Sequence, residues 1–180
     1  MITLVYNVRL YRKLLREIVG EGEIVLEIGP HMGKSTLTYV EKAGKVVLVE
    51  KSSQPMYNLE VLREKYPNIH IIKGDARSFD TIKAVLRVIN HCDVMAVDIG
   101  GGRYPDTVFK VWATWSGVFK PRDSVIRNRG LIEFVERVKI RDEMLDVKFE
   151  DTGWLSSYGR AMPYKLKKQL EEFRWWVDVK

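Results

Sequence analysis

Short, continuous apolar runs alternate along this chain with longer stretches in which apolar residues recur every third or fourth position. The short runs are Ile24 to Ile28, Lys45-Val-Val-Leu-Val-Glu50, Ile69-His-Ile-Ile72, Asp93-Val-Met-Ala-Val-Asp98 and Ser124-Val-Ile-Arg127. Unbroken runs of this kind suit strands buried on both faces of a parallel sheet. Between them, helical spacing is predicted over 34 to 43, closed by Gly44, and over 53 to 66 through Met56, Leu59, Leu62 and Tyr66, with Pro67 as the stop. Ile82, Val85, Leu86 and Ile89 mark another helix. A fourth face, Val108, Trp112, Trp115 and Phe119, places its tryptophans in the core. Ahead of the first run, residues 8 to 19 read as an amphipathic helix. Leu10, Leu14, Leu15 and Ile18 form its apolar side, with Arg9, Arg12, Lys13 and Arg16 as a basic stripe on another.

Strict alternation of strand and helix predicts an α/β fold, a doubly wound and mostly parallel sheet of about seven strands with helices on both faces. Beyond residue 130 the pattern loosens. Residues 131 to 140 read as helix, 144 to 150 as a strand, 165 to 173 as helix and 175 to 179 as a closing strand.

Composition narrows the class. At 180 residues the chain reads as one domain, 1–180, able to bury a core without disulfides, and it has a single cysteine, Cys92. With 46% hydrophobic and 30% charged residues, no run long enough to span a membrane and no signal-like start, a cytoplasmic protein is expected. A formal net charge of +6 points to an anionic partner, nucleic acid among them. The oligomeric state, homodimer included, stays open.

The chemistry concentrates at Glu23-Ile-Val-Leu-Glu-Ile-Gly-Pro-His-Met-Gly-Lys-Ser-Thr36, where a strand breaks into a glycine-containing loop. Three loop patterns compete. A dinucleotide-binding G-x-G-x-x-G would need glycine where His31 and Lys34 stand. A phosphate-binding P-loop fits Gly33-Lys34-Ser35, yet from Gly29 it is one residue short. A third pattern, [DE]-x-G-x-G-x-G, matches at Glu27, Gly29 and Gly33, with His31 in place of the middle glycine.

In open α/β sheets ligands bind beyond the carboxyl ends of the strands. Those ends carry Glu27 with its loop, then Glu50, then Gly74-Asp75-Ala76, then Asp98. Taken in order, Glu27, Gly29, Gly33, Glu50, Asp75 and Asp98 resemble motifs I to IV of the class I S-adenosylmethionine-dependent methyltransferases, over roughly residues 23 to 128. The resemblance implies a fold whose last two strands are antiparallel and a cofactor lying over the strand ends. It implies that Glu50, with Lys51 beside it, holds the ribose, Asp75 and Ala76 the adenine, and Gly29, Pro30, His31 and Gly33 the methionine part. Asp98 becomes a cofactor contact or, with Tyr104, a candidate base. On this reading residues 1–22 are an N-terminal helix, 23–128 the cofactor-binding half and 129–180 a substrate-side half.

Arg103, Arg127 and Arg129 are expected around the acceptor's entrance, where guanidiniums suit phosphate or carboxylate. RNA is the favoured acceptor, ahead of a small anionic metabolite or a protein. No metal site is expected: Asn128 matches one member of the metal pair of catechol-type enzymes, but Arg127 replaces the other. Two alternatives remain. One is a nucleoside-triphosphate-binding protein using the shortened loop, with Asp98 on magnesium. The other is a non-catalytic S-adenosylmethionine-binding protein.

Overall fold

A computed structural model describes residues 1–141 and 149–155 of the chain. Its elements run β1 (Ile2–Val5), α1 (Val8–Ile18), β2 (Ile24–Ile28), a 3-10 turn (Thr36–Thr38), β3 (Lys45–Glu50), α2 (Met56–Lys65), β4 (Ile69–Lys73), α3 (Phe79–Leu86), β5 (Val94–Val97), a second 3-10 turn (Gly100–Gly102), α4 (Pro105–Phe119), β6 (Asp123–Arg127) and α5 (Arg129–Arg137). The strands form one sheet in the order β1-β6-β5-β2-β3-β4. Every adjacent pair is parallel.

The unbroken apolar runs are explained by the two layers of core. Successive strand residues point to opposite faces, so a strand covered on both sides has almost no polar position to spare. Leu26, Ile28, Val47, Val49, Met95 and Val97 pack with Ile82 and Val85 of α3 and Trp112, Trp115 and Phe119 of α4. Their neighbours Val25, Val46, Leu48, Val94 and Ala96 pack on the other side with Tyr11 and Leu15 of α1, Tyr39, Val40, and Leu59 of α2. Burial of one side chain of this size contributes about 1.5–3 kcal/mol.

Three expectations are corrected. The sheet has six strands among the described residues rather than about seven. One of these, β1, does not announce itself, because an edge strand with only Val5 buried has little apolar pattern to show. The helix at 165–173 and the closing strand at 175–179 lie outside the described residues, as does most of the strand at 144–150; Phe149 and Glu150 are in no strand. Second, residues 34–43 form only the 3-10 turn Thr36–Thr38 between other turns. Hydroxyls compete with helix there: Thr36 and Tyr39 donate to Glu27, and Thr38 donates to the carbonyls of Ser35 and Arg12. Third, the buried side of α1 is Tyr11 and Leu15, and Leu10 is exposed. That rotation brings Arg12, from the basic stripe, round to the mouth of the cavity described next.

Candidate functional site

The order in which the chain adds strands reverses between β2 and β5, although the two strands are parallel. From β2 the chain passes to β3 on one side, while β5 lies on the other, so the loops after β2 and β5 part and leave a crevice at the carboxyl ends. Gly29 occupies the crossing point at φ +83°, its N–H donating to the Val49 carbonyl at 3.0 Å. A Cβ here would overlap the Asp98 carbonyl oxygen, so only glycine lets the two loops touch. His31 adopts φ +49°, the left-handed conformation a glycine would take, and so keeps the loop's course.

Above the crossing lies a cavity of about 820 Å³. The ends of four strands contribute to it: Gly29, Pro30 and His31 after β2, Glu50 and Lys51 after β3, Asp75 and Ala76 after β4, and Asp98 after β5. Tyr104 and Arg127 complete the predicted residues on its walls. Four predicted residues do not line it: Glu27, Gly33, Arg103 and Arg129.

Glu50 is buried at the cavity edge with its carboxylate held by backbone. The His31 N–H donates to Oε2 at 3.0 Å and the Ser52 N–H to Oε1 at 2.8 Å. One lone pair on each oxygen remains for a ligand. Asp75 differs. Its Oδ1 accepts from Arg77 N–H and Nε, each at 3.0 Å, and its Oδ2 accepts from Arg77 at 2.7 Å and pairs with Lys51 Nζ at 3.0 Å. Burial opposes its charge, but the two cations hold the carboxyl well below the usual carboxylate range. All its acceptor positions are taken, so hydrogen bonding to an adenine amino group is not open to it as it stands. The adjoining Ala76 carbonyl is fixed by the Trp115 indole, which donates at 2.7 Å.

Glu27 sits beneath the loop and ties it to the sheet. It is buried, and Oε2 accepts from both the Thr36 and Tyr39 hydroxyls at 2.6 Å. Burial pushes its carboxyl up to about 7, against the two hydroxyls that lower it. Asp98 is also raised by burial, opposed by Arg127, whose guanidinium lies 3.0 and 3.1 Å from its two oxygens.

The three-arginine entrance is not assembled. Arg127 is spent on Asp98 and on the Tyr6 carbonyl. Arg103 donates to the Gly100 carbonyl, and Arg129 is exposed on the first turn of α5, away from the cavity. Asn128 is a helix cap: it accepts from Leu131 N–H and donates to the Arg103 carbonyl. The cation that sequence reasoning misplaced is Arg12, which lines the cavity with a buried Nε lacking a partner among the described residues. Its signal was hidden because a helical stripe does not say which of its members turns inward. Nor does the loop meet the needs of a P-loop. The turn after Lys34 is not an α-helix whose N-terminus could receive phosphate, and Asp98 faces an arginine.

Sheet order, crevice and loop together are those of the class I, Rossmann-like methyltransferase fold, and the chain has that fold. Solved structures agree. A dimethyladenosine transferase from Plasmodium falciparum is similar with a TM-score of 0.54 and 24% identity, over 77% of this chain and 48% of that one. Aeropyrum pernix fibrillarin, solved with natively bound S-adenosyl-L-methionine, is similar with a TM-score of 0.51 and 19% identity, over 92% of this chain and 64% of that one. No known protein-family model matches the chain. Among curated proteins, a probable ribosomal RNA small subunit methyltransferase A from Thermococcus kodakarensis is 45% identical over 67 residues. That match covers 36% of this chain and 23% of the relative, so the chain spans only about a quarter of the relative's length.

Proposed function

We propose that this chain is an S-adenosylmethionine-dependent methyltransferase acting on RNA in the cytoplasm. The observation that carries the reading is Glu50, a carboxylate aimed by two backbone N–H groups into the crevice of this fold, with a free lone pair on each oxygen for the two hydroxyls of a ribose. The rest of the cavity fits a nucleoside with an amino-acid tail. Its volume is within the range of small-molecule sites, and Val49, Ile99 and Val111 supply apolar wall. The adenine falls to the backbone around Ala76 rather than to Asp75. The tail lies over Gly29, Pro30 and His31, toward Asp98 and Arg12.

When bound, the cofactor supplies an activated methyl group. What the chain's own residues add is position: holding an acceptor atom in line with that methyl is worth up to roughly 7–11 kcal/mol of the barrier. The Asp98 carboxylate, clamped by Arg127, is an orienting group near the acceptor end, and Tyr104 stands at its entrance. RNA is favoured over a small anionic metabolite or a protein by the net charge of +6 and by Arg9, Lys13 and Arg16, exposed on the helix whose Arg12 reaches the cavity. The names of the curated relatives support the same choice.

Calorimetry tests the cofactor. S-adenosylmethionine or its demethylated product should bind at micromolar concentration without magnesium, and ATP weakly. Tight, magnesium-dependent ATP binding with no response to the sulfonium would overturn the reading in favour of a nucleoside-triphosphate site.

A further inference from the structure

The loop after β5 contains three consecutive glycines, and all three are left-handed: Gly100 at φ +63°, Gly101 at +66° and Gly102 at +84°. What their bare backbone admits is aromatic. A Cβ at Gly100 would stand 2.7 Å from the Tyr104 ring, and one at Gly102 would stand 3.1 Å from the Tyr6 ring. One tyrosine therefore rests on each end of a single turn. Tyr104 is itself at φ +57°, a conformation a side chain adopts only when its surroundings impose it.

Neither ring serves the core. Tyr6 is 46% exposed and Tyr104 57% exposed. Each has a guanidinium beside it, Arg127 at 5.5 Å from the Tyr6 centroid and Arg103 at 5.8 Å from that of Tyr104. Tyr104 and Arg127 also line the cavity, so the turn forms part of its rim. Two solvent-accessible tyrosine rings on one turn, at the mouth of the cavity, match the π-face that an unpaired nucleobase offers for stacking.

We propose that Tyr104 and Tyr6 are stacking platforms for unpaired nucleobases, so that the acceptor arrives as single-stranded RNA across the triglycine turn. The inference rests on the RNA-methyltransferase reading for its partner, but its test does not need the cofactor.

Binding of a short labelled single-stranded RNA is compared, by fluorescence anisotropy without cofactor, with binding of an abasic oligonucleotide of equal length and charge. The wild type should prefer the base-bearing strand. Tyr104→Ala and Tyr6→Ala should each lose about 5- to 100-fold on that strand and nothing on the abasic one, while Tyr104→Phe and Tyr6→Phe should bind as wild type. Circular dichroism checks the fold, and leucine, apolar but not aromatic, replaces alanine should an alanine variant fail to fold. Equal wild-type affinity for the two strands, or folded alanine variants that keep the preference, would overturn the proposal. Failure of S-adenosylmethionine to bind, with the tyrosine-dependent preference intact, would remove the enzymatic reading and leave the platforms standing.

Discussion

Glu50 and Asp75 end neighbouring strands, yet only one is open to a ligand. Backbone N–H groups aim Glu50 and leave it acceptor capacity, whereas Arg77 and Lys51 exhaust Asp75. Glu50→Ala should therefore weaken cofactor binding by about 1.5–3 kcal/mol in calorimetry while the protein stays folded. An unchanged dissociation constant in the folded variant would refute the ribose assignment. Asp75→Asn should cost the cofactor much less. Glu27 makes a pH-dependent claim. Its carboxyl, lifted by burial to about 7 from an ordinary 4.5, holds a proton in the folded chain across a window in which the unfolded chain has released it. Its contribution to stability is full below that window and is lost as pH rises through it. Relative to Glu27→Gln, the wild type should thus lose about 1–3 kcal/mol between about pH 5 and pH 8, read from urea unfolding. A difference between the two proteins that is flat across this range would contradict the buried carboxyl. The acids themselves were legible from strand-end positions; which of them a cation had already claimed was not, because Arg77 and Arg127 carry no mark of their partners.

The glycine loop shows how an element can be recognised and still be misread. Glu27, Gly29 and Gly33 identify the motif, and Gly29 and Asp98 meet where the two loops part. The helix expected next fails because its threonines and Tyr39 send their hydroxyls to Glu27 and to nearby carbonyls, a tertiary demand that spacing does not reveal. Gly29→Ala should destabilise the protein by about 1–3 kcal/mol or more, since it meets both a left-handed φ and the Asp98 carbonyl. Gly101→Ala, left-handed but with open space around its Cβ, should cost only about 1 kcal/mol. Urea denaturation of the pair separates overlap from backbone strain; equal losses would mean that the close approach at Gly29 contributes nothing. The central strands were readable for the opposite reason. Burial on two faces makes a strand an almost unbroken apolar run, with Glu27 the buried exception in β2, whereas β1, half-covered at the edge, keeps no such signature.

Over the whole molecule, charge links the cavity to the helix that precedes it. Arg9 and Lys13 are exposed on α1, and the ion pair of Lys13 with Glu17, 3.8 Å apart at the surface, is too weak to withhold it from a phosphate. If RNA lies along this face, removing Arg9 and Lys13 together should reduce the log–log salt slope of RNA binding by about 1.4–1.8, at about 0.7–0.9 per phosphate contact. An unaltered slope would return the stripe to solvent. The direction of that surface was legible in the helical spacing, but not the turn of Arg12 into the cavity, which depends on Tyr11 and Leu15 being the residues that α1 buries. The central claim is methyl transfer to RNA, and it is tested most directly by incubating the chain with unmodified RNA transcripts and S-adenosylmethionine labelled in its methyl group. The account predicts label in RNA that is released by nuclease and not by protease, in wild type, and sharply reduced label with Glu50→Ala. Label that stays at background with every RNA offered, from protein that binds both the cofactor and the RNA, would contradict it.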